Sequence, residues 1–261
     1  MKWMQLIFSW LVSLAFLTTG LAACSPPFHD QKTGNVHDVW LSKWLRLDDY
    51  FSTNSLTSKK IDDVLKNQLD ARWNFSVEVK IPDSNKTVDV GSCRDFFSAD
   101  RHQAETAKAY EYSVYRSIGT SCEAVKVAIA MKPSKNSFVR NLAIDENLPK
   151  MAPHQLALVI STEESKRLDA NPDMHYWSDV EKIDSVQKRE SDIFLFKTPG
   201  ATHKITRLAY GDTNADGIED LLLRDDVSLD EGSYTSSRLF ILTRSSPNSR
   251  LKLLMMYPDN R

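Results

Sequence analysis

Three cysteines, eight glycines and ten prolines in 261 residues are too few for a disulfide-dense scaffold, a collagen-like repeat or a low-complexity linker. Charge of one sign is missing as well. Against 35 acidic residues stand 33 basic ones, a net charge of -2 with no polybasic block, so neither nucleic acid nor an anionic membrane surface is an expected partner. Catalytic signatures are also absent. His29, His37, His102, His154, His175 and His203 show no HxxH or HExxH spacing and have no CxxC partner, which leaves zinc unsupported. No GxSxG elbow, SxxK pair or Walker loop occurs. The carboxylate pairs Asp62-Asp63 and Asp225-Asp226 are adjacent, so they point apart in regular structure and read as solvated surface rather than as a shared acid/base site. With 41% hydrophobic residues, the chain can still bury a real core.

Long apolar runs are confined to one place. Met1-Lys2 precedes Leu6 to Phe16, after which small residues lead to Leu21-Ala22-Ala23-Cys24, the layout of a secretory signal removed in the mature protein. An uncleaved membrane helix would need about 20 apolar residues and basic flanks, and this run ends on a cysteine instead. Leu21-Ala22-Ala23-Cys24 resembles the lipobox of bacterial lipoproteins. The resemblance implies a signal peptide over residues 1–23 and acyl chains on Cys24, which becomes the mature N-terminus. Ser25, where an Asp would resemble an inner-membrane retention signal, points onward to the periplasmic face of the outer membrane. Several acyl chains give a stable anchor, so the membrane is an expected partner through lipid alone.

That address accounts for the other cysteines. Cys93 and Cys122 form an even pair in an oxidising compartment, and a disulfide between them is simpler than two separately buried thiols. Residues 24–38 carry the lipidated cysteine and the segment SPPFHDQKTGNVHD, polar and without periodicity, which reads as a flexible tether of about 20 Å.

The expected fold is a single α+β domain over residues 39–261, helices mostly in the N-terminal half and an antiparallel β meander in the C-terminal third. Trp40, Trp44, Leu47 and Phe51 share one helical stripe in Val39 to Phe51, which reads as core in preference to an interfacial helix. Ile61, Val64, Leu65, Gln68 and Leu69 repeat that period, and Phe75, Val77, Val79 and Ile81 alternate as a half-exposed strand stopped by Pro82. Tyr110, Val114 and Ile118 align in a helix that Gly119 would end, and Thr120-Ser121-Cys122-Glu123 has the spacing of a new cap before AVKVAIAMK, which reads as a helix although Val125, Val127, Ile129 and Met131 also alternate as a strand would. Asn136 to Pro153 is irregular, Gln155 to Ser161 predicts a strand, and Thr162-Glu163-Glu164 opens a helix. His175-Tyr176-Trp177 reads as packing or an interface anchor. DIFLFK, HKITRLAY, EDLLLR, YTSSRLFILT and RLKLLMM supply the meander.

One loop carries oxygen donors in register. Asp212, Asn214, Asp216 and Asp220 occupy positions 1, 3, 5 and 9, Gly217 allows the turn at 6, and the Ile218 carbonyl is available at 7. The pattern resembles the calcium loops of FG-GAP and dockerin-type modules, which implies one structural calcium ion on Asp212, Asn214, Asp216, Asp220 and the Ile218 carbonyl. A metal-free turn rich in Asp and Asn is the other reading. Leu223 replaces the bidentate Glu of an EF-hand, so a strand rather than a helix should follow. Asp169-Asn171-Asp173 echoes the first half of the pattern, but Met174 stands where Gly would, so a turn is expected there.

The functional expectation is a non-enzymatic, lipid-anchored, periplasm-facing binding protein. Its most specific form is an inhibitor, an immunity lipoprotein that blocks a membrane-attacking toxin. Asp225, Asp226, Asp230, Glu231 and Tyr234 form the expected docking edge for a protein partner. A hydrolase of envelope polymers and a structural envelope scaffold are the alternatives.

Overall fold

Strands form where apolar residues alternate, because each then carries a face that has to be buried. In the computed structural model of the protein, residues 37–45, 61–84 and 86–259 are described. They form β1 (Trp40–Leu41), α1 (Ile61–Asp70), β2 (Val77–Ile81), β3 (Lys86–Val90), α2 (Cys93–Asp100), β4 (Glu105–Thr106), α3 (Tyr112–Ala130), α4 (Thr162–Asp169) and α5 (Trp177–Val180). There follow β5 (Ser185–Lys188), β6 (Ile193–Thr198), β7 (Ala201–Gly211), β8 (Asp220–Leu229), β9 (Thr235–Thr243) and β10 (Lys252–Tyr257). The main sheet runs β10-β9-β8-β7-β6-β5, antiparallel throughout, and β1 pairs with β7 beside this path. A small sheet orders as β3-β2-β4. The architecture is therefore α+β in one domain, with α1 to α3 in the first half and a β meander at the end.

Both faces of the main sheet are buried, and the sequence of its central strands shows why. Leu221 and Leu223 in β8, with Phe240 and Leu242 in β9, point to one side, whereas Leu222, Leu239 and Ile241 point to the other. A strand buried on both faces has to be apolar in succession, as Leu221-Leu222-Leu223 is. The first side is covered by residues 139–157 and Trp177, the second by α1, α2 and α3. Each fully buried Leu, Ile or Phe contributes about 1.5–3 kcal/mol.

Several expectations are corrected. Among the described residues of the Val39 to Phe51 stretch there is no long helix: Trp40 and Leu41 pair with Tyr210 and Ala209, and Lys43–Leu45 makes one tight turn. Trp40 packs on Tyr210 with ring centroids 5.3 Å apart, so a strand contact outcompetes the helical stripe. Gly119 does not end a helix. It lies inside the 19-residue α3, and a Cβ there would sit 2.2 Å from Phe96 Cζ, so the residue is small to admit that ring. Cys122 is thus mid-helix, at disulfide distance from Cys93 at the start of α2, with Cα atoms 5.4 Å apart. Gln155 to Ser161 forms no strand, only a short turn over His154–Leu156. The elements α2, β4, α5 and β5 were not expected. The signal peptide, Cys24 and most of the tether lie outside the described residues. His37 at the tether's end exchanges backbone hydrogen bonds with Ser134. Among the described residues no helix is long and apolar enough to cross a membrane.

Candidate functional site

A cluster of buried charges stands between the sheet and the irregular layer. His203 of β7 and Asp225 of β8 are wholly buried, with His203 Nδ1 3.0 Å from Asp225 Oδ2 and Nε2 3.1 Å from Glu181 Oε2. Arg238 of β9 donates to Asp225 at 2.6 Å and to the carbonyls of Gln155, Leu156 and Ala157 at 2.6–3.0 Å. Glu181 in turn accepts from the Trp177 indole at 2.8 Å and the Leu158 amide at 3.1 Å. Burial alone would lower the His203 pKa, but the charge and hydrogen bond of Asp225, joined by Glu181, push it up to about 9. Burial would raise Glu181, yet the His203 hydrogen bond and charge hold it down at about 2. Burial acts upward on Asp225 as well, and His203 with Arg238 outweighs it and lowers that pKa. His203 is therefore an imidazolium between two carboxylates. Its pairing with Asp225 resembles a catalytic dyad in outline only, because both nitrogens are taken and no solvent reaches the ring.

Arg238 also forms part of a cleft of about 620 Å³. One wall is Ala109 to Arg116, at the entry to α3. The other is His154 to Leu168, and the floor is Ser233 to Arg238 with Met256 and Pro258. Hydroxyls dominate the lining, and four large side chains stand exposed at it: Tyr110 at 75%, Ile160 at 66%, Tyr112 at 58% and Tyr234 at 40%. Its basic groups are Arg116, paired with Asp100 at 3.2 Å, His154, paired with Asp169 at 2.9 Å, and Arg238. Among the described residues no Asp, Glu or Cys lines it. The His154–Asp169 pair would orient an imidazole, but among the described residues no hydroxyl or thiol hydrogen-bonds its ring, as a base-activated nucleophile requires. The arrangement can grip a ligand through rings and hydroxyls, and offers no acid/base pair of carboxylates.

The Asp212 loop joins β7 to β8. Asp212 accepts from the amides of Ala215 at 2.7 Å and Gly217 at 2.8 Å. Asn214 accepts from Asp216, and Asp216 accepts from Ile218 at 2.7 Å. Ala215 and Gly217 both take positive φ, 64° and 82°, which lets the amides turn inward. Lys135 and Asn136 cap the loop from outside by donating to the Gly217 carbonyl. Asp220 is buried, accepts at Oδ2 from the Thr213 amide and hydroxyl, and leaves Oδ1 buried without a hydrogen-bond partner. The donor set has the hard oxygens that calcium takes, but the Asp220 carboxylate already has the Thr213 amide and hydroxyl and the Thr243 hydroxyl beside it, and burial raises its pKa toward the neutral form. The loop also closes on its own amides, and among the described residues no three His, Cys, Asp or Glu side chains gather as metal ligands.

The expected docking edge is divided by the pleat. Asp225 is withdrawn from it altogether, since it is wholly buried in the charge cluster, on the sheet face opposite Asp226. Asp226 is half-buried, bound by Arg224 at 2.8 Å and by the Ser237 hydroxyl at 2.6 Å. Asp230, Glu231 and Tyr234 are exposed at the β8–β9 turn, and Tyr234 reaches the cleft. Trp177 is core, packed on Phe196 and His203 with centroids 5.1 Å and 5.0 Å away. The Asp169 echo is a turn, with Asn171 accepting from the Asp173 amide. Sequence reasoning missed His203, Glu181 and Arg238 and the cleft tyrosines Tyr110 and Tyr112. Comparison with protein-family models, with curated proteins and with solved structures gives no match.

Proposed function

We propose that this chain is a non-enzymatic binding protein, tethered by lipid on Cys24 at the periplasmic face of the outer membrane, that holds a protein partner in the cleft beside Tyr234. Its most specific form is an inhibitor, with an immunity lipoprotein as the example. One observation carries the reading: a concave site rich in exposed rings and hydroxyls whose lining, among the described residues, holds no carboxylate. Aromatic side chains supply contact area at small entropic cost, and turnover of an envelope polymer would ask for a positioned carboxylate pair. Asp230 and Glu231 at the rim would steer a partner rather than anchor it.

Tyr110→Ala combined with Tyr234→Ala tests this. Wild-type protein incubated with envelope extract should retain a protein partner that the double variant loses, while both melt at the same temperature. Retention of no protein, together with cleavage of a glycan or lipid that depends on His154, would replace this reading by the hydrolase. Cys24→Ala should move the protein from the membrane to the soluble fraction.

A calcium ion in the Asp212 loop belongs to the same proposal, as a brace between β7 and β8. The melting temperature should rise in millimolar calcium. Asp216→Ala should abolish that rise and keep only the smaller loss from its turn hydrogen bonds; an identical loss in chelator and in calcium sinks the ion.

A further inference from the structure

A strand-sized gap in the sheet forms the floor of the cleft. β9 pairs with β8 from Thr235 to Leu242, whereas β10 pairs with it only from Leu239 to Thr243. The four residues Thr235 to Arg238 therefore have a neighbour on one side alone, and they line the cleft beside Met256 and Pro258, where β10 runs out. Pro258 has no amide hydrogen with which to continue the ladder.

The pleat fixes which backbone groups face the gap. The Tyr234 carbonyl accepts from the Leu229 amide, so it faces β8, and Ser236 and Arg238 follow at the same phase. Thr235 and Ser237 accordingly turn their backbone groups to the open side. The Ser237 carbonyl is taken there by the Thr120 hydroxyl at 3.1 Å. Left without a strand partner among the described residues are the amide and carbonyl of Thr235 and the amide of Ser237.

Sheet edges are ordinarily protected by cover, by Pro or by inward charge. Among the described residues this one is flanked by two walls and has no strand beside it, and it spans about 13 Å at 3.3 Å per residue, room for one short extended segment. The basic groups of the lining are already held by carboxylates, Arg116 by Asp100, His154 by Asp169 and Arg238 by Asp225, so the site selects for extended backbone rather than for charge.

We infer that the partner is gripped by strand addition: an extended peptide segment lies in the cleft in line with β10 and hydrogen-bonds the amide and carbonyl of Thr235 and the amide of Ser237. This rests on the binding reading above and names the mode of capture. Main-chain hydrogen bonds supply affinity in such complexes, and side chains at alternate positions supply specificity.

A randomised peptide library selected on the full protein provides the probe, and the selected peptides should lack internal Pro. Thr235→Pro removes only an amide on the open side, where Pro is tolerated, and should weaken the best peptide about tenfold at an unchanged melting temperature; Thr235→Ala should not. N-methylation of the peptide at alternate residues should give the same loss on wild-type protein, which covers the case in which Thr235→Pro misfolds. Equal affinity for methylated and unmethylated peptides overturns strand addition and leaves the binding reading standing. If no peptide is selected and a glycan occupies the cleft instead, both are overturned.

Discussion

The two faces of the main sheet are covered by different means. On one, α3 lays Tyr115, Ile118, Cys122 and Val125 onto Leu222, Leu239 and Ile241, and Gly119 admits the Phe96 ring. On the other, residues 137–183 contribute apolar side chains with little regular structure, and buried charges hold the chain down. Arg238 takes three successive carbonyls, Glu181 takes the Leu158 amide, and the buried Glu219 binds Ser137 and Arg140. A helix satisfies its own backbone and needs only an apolar stripe to dock. Irregular chain brings unpaired N–H and C=O groups, so the face that receives it has to supply donors and acceptors. The open-edged cleft lies where these two coverings part.

The largest effect should come from breaking the charged face. Asp225→Ala leaves His203 and Arg238 buried without their shared anion and should cost about 3–5 kcal/mol in urea titration. A loss under about 1 kcal/mol, typical of exposed pairs, would mean that the cluster is idle. Next comes the helical face, where replacing Cys93 and Cys122 by Ser should cost about 3 kcal/mol for a bridge spanning 29 residues and should make stability indifferent to reductant. Gly119→Ala drives a methyl into the Phe96 ring and should cost about 1–3 kcal/mol despite the better helix propensity of Ala; a stabilised variant would show that the ring moves aside freely.

A smaller effect separates the faces by pH. The folded His203 pKa is raised from 6.5 to about 9, so its contribution is complete below 6.5 and fades as pH rises through about 9. Glu181 is lowered from 4.5 to about 2, so its contribution is complete above 4.5 and fades as pH falls through about 2. The charged face should hold best between 4.5 and 6.5, and His203→Gln should remove the alkaline decline measured by thermal melts. An unchanged decline would place its source elsewhere. The smallest effect on stability, within about 0.5 kcal/mol, belongs to Tyr234→Ala, which should nonetheless weaken partner binding.

The meander and α1 were legible, because apolar periods of 2 and 3.6 report one buried side directly. The stripe Tyr110, Val114 and Ile118 was not the buried side of α3: Tyr110 lies in the turn before it, Tyr110 and Val114 are exposed, and only Ile118 is core. The charged face was legible in part. Counting by twos from Leu221 and Leu223 reaches Asp225, and from Leu242 and Phe240 reaches Arg238, so the strand phase already put both inside. The adjacency of Asp225 and Asp226 rightly separated the two, but solvated surface was the wrong environment for Asp225. Gln155 to Ser161 misled because its carbonyls are satisfied by a guanidinium some 80 positions away, which no local pattern encodes. Gly119 misled because smallness for packing and freedom for a helix end look alike in a sequence. The cleft was illegible since its walls come from three distant segments, and only the exposed Tyr234 had been singled out.

Amide hydrogen exchange on Arg238→Met tests most directly whether buried charge, rather than apolar packing, holds the irregular layer and shapes the cleft wall. The amides of Leu156, Ala157 and Leu158 should lose protection while those of α3 keep theirs, and peptide capture should fall with them. Unchanged protection at Leu156 to Leu158 would contradict the account, leaving the apolar contacts of Leu156 and Trp177 as sufficient to hold that face.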